Sequence, residues 1–369
     1  MKKFTTKETF ALAVKNHQKN NLKVASNLYK EILKTNPNHV DANNNLGLVF
    51  HAFGEFQKAK NCYEKAIEIL PDYAETHNNL GIIFKELRER EKARNCYEKA
   101  IKIKPNYAGA YLNLGNVLKE LGELKKAISS YKKAIKITPN FLTAYLNLGI
   151  VFEELKEFEK AISCYKKAIQ MQPNHAGAYN NLGNVFDELE ESEKAISCYK
   201  KAIQIEPNYS DAYWNLHSFA SGIDEALIML KKLYDIDNKF LKARIMISAL
   251  QGFKGNFNDF DALISSSESN HPFTRSVKWV FSLPKQPKIF FSRRSFFNAI
   301  ISLTVKSRPF YEFGVWNGNS FQYLINSFRR GFGFDTFTGL PESWHSNPPK
   351  GTYSSFGSVP KIKGGEFIV

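Results

Sequence analysis

The sequence predicts a mainly α fold, a solenoid of stacked helix-turn-helix units followed by a partial α/β segment. Three observations carry this expectation. Pro37, Pro71, Pro105, Pro139, Pro173 and Pro207 recur every 34 residues. Between them run columns with the same period: Leu46-Gly47 and its counterparts at Leu80, Leu114, Leu148 and Leu182; Ala59, Ala93, Ala127, Ala161 and Ala195; Tyr63, Tyr97, Tyr131, Tyr165 and Tyr199; and Ala66, Ala100, Ala134, Ala168 and Ala202. Beyond residue 270 the period disappears and phenylalanine becomes frequent. A repeat of this length marks paired helices in an array where each unit touches only its neighbours.

Within residues 40–73 the apolar places fall at helical spacing. Leu46 and Phe50 share one face of a first helix. Ala59, Tyr63 and Ala66 share one face of a second. Gly47 and Ala59 are small, which lets the two helices approach. Pro71 stops the second helix, because proline cannot continue an interior turn. The same pattern fills 74–107, 108–141, 142–175 and 176–209. Residues 6–39 fit with Leu12, Ala13, Ala25, Tyr29 and Pro37, but Asn16 replaces the aromatic. Residues 210–240 open with Tyr213, Asn215 and Leu216, then His217 replaces the glycine. Such departures suit terminal units whose outer faces meet water. Residues 241–270 read as a further, decayed helical pair within a linker region, 241–285.

Asn43, Leu46, Gly47, Phe50, Ala59, Tyr63, Ala66 and Pro71 resemble the tetratricopeptide repeat family, and the match recurs along residues 6–240. The resemblance implies a right-handed superhelix whose first helices line a concave groove, where a protein or peptide partner binds.

One column stands before each Leu-Gly: Asn45, Asn79, Asn113, Asn147 and Asn181, with Asn215 before Leu216. Asparagine inside a helix costs up to about 0.7 kcal/mol relative to alanine. A neighbouring column six residues on varies freely, as His51, Lys85, Lys119, Glu153 and Asp187. An amide offers two donors and an acceptor, enough to pair with both sides of an extended main chain. The alternative is that these amides bond neighbouring helices across the repeat interface. The column resembles the asparagine ladder in the repeat domain of the O-linked N-acetylglucosamine transferases, whose catalytic region is not recognisable here.

The formal charge is +15. Much of the excess lies in Lys132-Lys133, Lys166-Lys167 and Lys200-Lys201, which read as a solvated convex face. No aromatic-rich recognition motif accompanies it, which argues against nucleic acid. Cys62, Cys96, Cys164 and Cys198 hold one place in their repeats, the residue before the tyrosine. Packed repeats lie about 10 Å apart, too far for a disulfide, and the spacing is not that of a metal site. No apolar run reaches the length of a membrane span and no secretory h-region follows Lys2-Lys3. The expectation is a cytoplasmic chain with no metal.

In residues 286–369 the pattern changes. Ser295–Val305 and Ser320–Phe328 read as helices, Pro309–Val315 and Gly331–Phe337 as strands. This order opens a parallel α/β sheet. The turn Glu312-Phe313-Gly314-Val315-Trp316-Asn317-Gly318 lets backbone approach a ligand at a helix N-terminus. Asp335 follows at the end of the next strand, where an acid can bond a ribose. Tyr311–Val315, Gly333–Trp344 and Lys350–Ser354 resemble the macrocin O-methyltransferase type of S-adenosylmethionine-dependent enzyme. The resemblance covers roughly residues 305–365 and implies a Rossmann-like methyltransferase portion. It implies that Glu312, Gly314 and Gly318 border the methionine end of S-adenosylmethionine and Asp335 the ribose. Trp316 stands where many cofactor loops have a glycine. A complete fold of this class needs about a hundred residues more, and in the family the metal-holding acids come later. The sequence therefore leads us to expect a truncated domain without catalytic residues and no methyl transfer from this chain alone. The combined reading is a peptide-binding repeat scaffold joined to an incomplete methyltransferase domain. The alternative is a pure interaction protein with a degenerate tail.

Overall fold

The computed structural model describes residues 5–282 and three short strands, Phe310–Phe313, Gly331–Phe334 and Gly365–Ile368. Residues 5–282 form seventeen α-helices and contain no strand. The chain divides into two compact units, 1–212 and 213–369, which are described separately.

The first unit stacks helical hairpins. These are α1 (Thr6–Gln18) with α2 (Leu22–Thr35), α3 (Val40–Ala52) with α4 (Phe56–Ile69), and α5 (Ala74–Glu86) with α6 (Arg90–Ile103). They continue as α7 (Ala108–Glu120) with α8 (Leu124–Ile137), α9 (Leu142–Glu154) with α10 (Phe158–Met171), and α11 (Ala176–Glu188) with α12 (Ser192–Ile205). Each second helix also packs on the first helix of the next hairpin.

The hairpin turns share one geometry. Glu55, Glu89, Glu123, Glu157 and Glu191 donate their N–H to the carbonyls of Phe50, Phe84, Leu118, Phe152 and Phe186 at 2.8–2.9 Å. This six-to-one bond closes a Schellman motif, which needs a left-handed residue just before the donor. Gly54 and Gly122 supply it freely, at φ 73° and 77°. Arg88, Lys156 and Glu190 hold the same place at φ 57–61°, a conformation costing a side-chain-bearing residue about 1–2 kcal/mol.

The core repeats with the sequence. Tyr63, Tyr97, Tyr131, Tyr165 and Tyr199 are at most 1% exposed, and the alanine columns are fully buried. Each ring lies flat against a glycine of the preceding helix. A methyl group built on Gly47, Gly81, Gly115, Gly149 or Gly183 would stand 2.5–2.6 Å from the tyrosine Cε1. In the terminal hairpin Ala13 occupies this place, fully buried, beside Tyr29, where only one neighbouring hairpin fixes the helix separation.

The second unit opens within α13 (Ser210–His217), five residues shorter than the other first helices. Here His217 is buried where the others carry glycine, with its ring centroid 4.6 Å from that of Trp214. α14 (Ile223–Ile236) and α15 (Leu241–Phe253) share a core of Leu227, Leu230, Leu233, Ala243, Ile247 and Leu250. α16 (Asn258–Ile264) and α17 (Pro272–Phe281) close the helical part. Phe281 meets Phe253, Phe257 and Phe260 at 5.0–5.2 Å between ring centroids and lies over Gly252 as the tyrosines lie over their glycines.

The strands β1 (Phe310–Phe313), β2 (Gly331–Phe334) and β3 (Gly365–Ile368) pair in parallel in the order β1-β2-β3. β1 and β2 fall inside the segments 309–315 and 331–337, where the sequence pattern places strands. The helices expected at 295–305 and 320–328 lie outside the described residues.

The glycine contact yields a direct expectation. Glycine to alanine in a helix interior normally stabilises by about 1 kcal/mol, but Gly115→Ala drives a methyl into the Tyr131 ring. Overpacking of this kind costs about 1–3 kcal/mol, so the urea midpoint should fall. An unchanged or raised midpoint would show that the ring does not set the helix spacing.

Candidate functional site

The asparagine column lies along successive first helices, where Asn45, Asn79, Asn113, Asn147 and Asn181 are half-buried. The amides reach back to the preceding repeat. Asn79 Nδ2 donates to Asn44 Oδ1 at 3.3 Å and Asn113 Nδ2 to Asn78 Oδ1 at 2.9 Å. At the next rung the corresponding residue is Leu112, and Asn147 Nδ2 turns instead to Asn116 Oδ1 at 2.7 Å. For Asn181 both places in the preceding repeat are apolar, Leu146 and Ile150. Asn45 accepts from Asn44 Nδ2 at 3.2 Å. Asn215 is half-buried in the second unit.

The bonds of Asn79, Asn113 and Asn147 join helices across the repeat interface, and each uses one N–H of the amide. Each of Asn79, Asn113 and Asn147 therefore keeps one N–H and its Oδ1, with no partner among the described residues. Each of these amides thus retains a donor and an acceptor after its ladder bond.

The residues that receive these bonds were not singled out from sequence. Asn44 and Asn78 stand directly before the column, so the doublets Asn44-Asn45 and Asn78-Asn79 were the visible clue. Asn44 Oδ1 also accepts from the buried Thr76 hydroxyl at 3.0 Å. Asn116 Oδ1 takes a second bond, from the Tyr131 hydroxyl at 2.8 Å, and Tyr199 donates to Asn184 at 3.0 Å. Tyr165 finds isoleucine at that position and donates to Glu153 Oε2 at 2.7 Å instead. The Tyr97 hydroxyl, opposite Ile82, is buried with no partner.

The neighbouring column changes sign along the stack, with His51, Lys85 and Lys119 followed by Glu153 and Asp187. Lys85 lies 3.8 Å from Glu120. Glu153 and Asp187 have no cationic partner among the described residues. Burial raises the Glu153 carboxyl pKa, the Tyr165 hydroxyl bond works against this, and the Glu188 charge adds to it. Asp187 is raised as well, by partial desolvation first and Glu188 second.

Four lysines and the four cysteines make contacts within the stack. Lys58, Lys92, Lys160 and Lys194 sit 5.3–5.6 Å over the rings of Phe50, Phe84, Phe152 and Phe186 and pair with Glu55, Glu89, Glu157 and Glu191. The four cysteines are free thiols, each pushed up to about 11 by burial, which keeps them protonated and unreactive. Among the described residues no cluster of metal-ligating side chains occurs, and no helix is long and apolar enough to cross a membrane. Glu312 lies in β1; Gly314, Gly318 and Asp335 lie outside the described residues.

Family models described as tetratricopeptide repeat match residues 40–106, 140–207 and 96–129, and one described as TPR repeat matches 115–156. Among solved structures, MamA is 30% identical over 44% of this chain and 94% of its own, with a TM-score of 0.41. YrrB, a TPR protein with an unusual peptide-binding site, is 23% identical over 50% of this chain and 95% of its own, with a TM-score of 0.44. A tetratricopeptide repeat protein from Parabacteroides merdae shares the fold at 16% identity, over 67% of this chain and 98% of its own, with a TM-score of 0.54. A comparison with curated proteins gave no match. None of these matches shows a methyltransferase domain.

Glu153 supplies a pH prediction. Its raised pKa means that the folded state binds this proton more tightly than the unfolded chain. The associated stabilisation is complete below the unfolded pKa and is lost as pH rises through the folded one. Glu153→Gln should therefore raise the thermal midpoint at neutral pH, and the gain should vanish on acidification through the carboxylate range near about pH 4. A gain that persists in acid would assign the effect to packing.

Proposed function

We propose that this chain, which belongs to the tetratricopeptide repeat proteins, is a scaffold that holds an extended segment of a partner protein along its asparagine column. The observation that carries this reading is the residual pairing capacity of Asn79, Asn113 and Asn147 after their ladder bonds are made. A donor and an acceptor on one amide match the C=O and N–H of a peptide main chain. Each such bond contributes about 0.5–1.5 kcal/mol net, so affinity comes from several rungs together and depends little on sequence.

Asn181 gives the cleanest test, because its amide has no amide partner in the preceding repeat. Asn113 and Asn147 tie repeats together, and replacing them costs stability as well as pairing. Peptides selected from a displayed library of unstructured segments should bind Asn181→Ala several-fold more weakly, by about 0.5–1.5 kcal/mol, with the thermal midpoint unchanged. The triple variant Asn113→Ala, Asn147→Ala, Asn181→Ala should abolish capture while circular dichroism still reports helix. Equal capture by the triple variant removes the column from the mechanism.

The tail supports a second reading, the opening part of an S-adenosylmethionine-dependent O-methyltransferase domain. Its support is the parallel register that sets Glu312 opposite Gly333, with Asp335 one residue beyond the end of β2. In this reading Glu312, Gly314 and Gly318 border the methionine end of the cofactor and Asp335 its ribose. The bound cofactor would supply the methyl group; the chain's own residues bind and orient it. Calorimetry should detect S-adenosylmethionine binding that Asp335→Asn weakens. A flat titration leaves a pure interaction protein.

A further inference from the structure

The second unit contains a cavity of ≈ 460 Å³ built from one face of each of three helices. Lys231, Tyr234 and Asp235 come from α14, Arg244, Ile247, Ser248 and Gln251 from α15, and Asp259 from α16. The volume is within the usual range for small-ligand sites, about 300–1,000 Å³. Ile247 and Ser248 are buried at its floor, Tyr234, Arg244 and Gln251 are half-buried, and Lys231, Asp235 and Asp259 stand at the rim.

The polar side chains of this cavity make no bonds with one another. The Ser248 hydroxyl is satisfied by the Arg244 carbonyl at 2.7 Å. The side chains of Lys231, Tyr234, Asp235, Arg244, Gln251 and Asp259 make no hydrogen bond or ion pair to the described residues. Elsewhere in this unit Lys254 does pair with Asp224, 30 residues away in the chain. Rim charges in water need no partner. Gln251 is different, because its Oε1 is buried and has no donor. A buried acceptor left in that state is costly. About two turns earlier on the same helix, and also lining the cavity, Arg244 offers a planar fork of donors suited to a carboxylate.

We infer that this cavity binds a small zwitterion, a free amino acid or a short peptide carrying both a carboxylate and an ammonium group. Arg244 takes the carboxylate, with Lys231 adding charge at the rim. The N–H donor satisfies Gln251 Oε1 and faces Asp235 and Asp259. Two cations and two anions around one cavity thus find their partners in one molecule. The inference rests on neither the asparagine column nor the strand segment.

The test titrates the full chain with triglycine, N-acetyl-triglycine, triglycine amide and glycine, followed by ligand-observed NMR. Triglycine should bind, and each capped form should bind about tenfold more weakly or worse, since loss of one charge-assisted contact corresponds to about a decade in affinity. Arg244→Ala should abolish binding with the helical circular dichroism unchanged, and Arg244→Lys should recover part of it. Glu68→Ala, on the exposed face of α4, should bind triglycine as well as the natural chain does. Glycine binding as tightly as triglycine assigns the site to free amino acids; triglycine alone assigns it to short peptides. Equal binding of capped and uncapped forms, or no triglycine binding below about 10 mM, overturns the inference.

Discussion

Tyrosine rings laid on glycine backbones set the helix spacing on which the first unit depends. With no Cβ on Gly47, Gly81, Gly115, Gly149 and Gly183, each ring sits where a methyl group would otherwise be. The contact is the same in five consecutive hairpins, so the hairpins have one thickness and stack at one interval. That interval brings Asn79 within hydrogen-bond reach of Asn44, and Asn113 of Asn78. The site is thus a consequence of packing in the hairpin interior.

The solenoid was legible in the sequence because its cause is local and repeated. Tyr63 and Gly47 are only 16 residues apart, and their pairing recurs with the period. The hairpin turns were less legible. Gly54 and Gly122 announce a left-handed turn, whereas Arg88, Lys156 and Glu190 take the same conformation against their preference. The turn's six-to-one hydrogen bond accompanies it in each case, and residue type alone does not announce it. The asparagine column was visible at once, but its bonds were not. They join residues 31 or 35 positions apart, and which partner is chosen depends on whether that place holds an amide or a leucine. The short α13 and the cavity of the second unit lie where the period has decayed, so no repeated column marks them.

The amides that make contact between repeats keep bonding capacity for the partner contact we propose. A primary amide has more bonding capacity than the ladder uses, and the ladder bond costs the partner-facing side nothing. It also removes rotational freedom before any partner arrives, which lowers the entropy lost on binding. Asn116 extends the logic into the hairpin interior. Its oxygen accepts from both Tyr131 and Asn147, so the ring that sets the helix spacing is tied to the rung that spacing positions. Tyr97, facing Ile82, lacks this tie and leaves its hydroxyl buried without a partner.

The geometry of the column constrains what it can hold. Successive rungs sit on successive first helices, and packed helices lie about 8–10 Å apart. An extended strand rises about 3.3 Å per residue and alternates its sides with each residue. Three residues span the gap between rungs, but the third turns its main chain the wrong way. A polyproline II segment has three residues per turn and advances about 9.3 Å in that turn. It meets every rung with the same side, and it makes no internal hydrogen bonds that would compete. A partner wound in this way matches one amide per repeat. On the proposed function, its side chains would meet the adjacent column, which passes from Lys85 and Lys119 to Glu153 and Asp187. On that proposal the amides would supply grip with little regard for sequence, and the change of charge along the wall would supply direction.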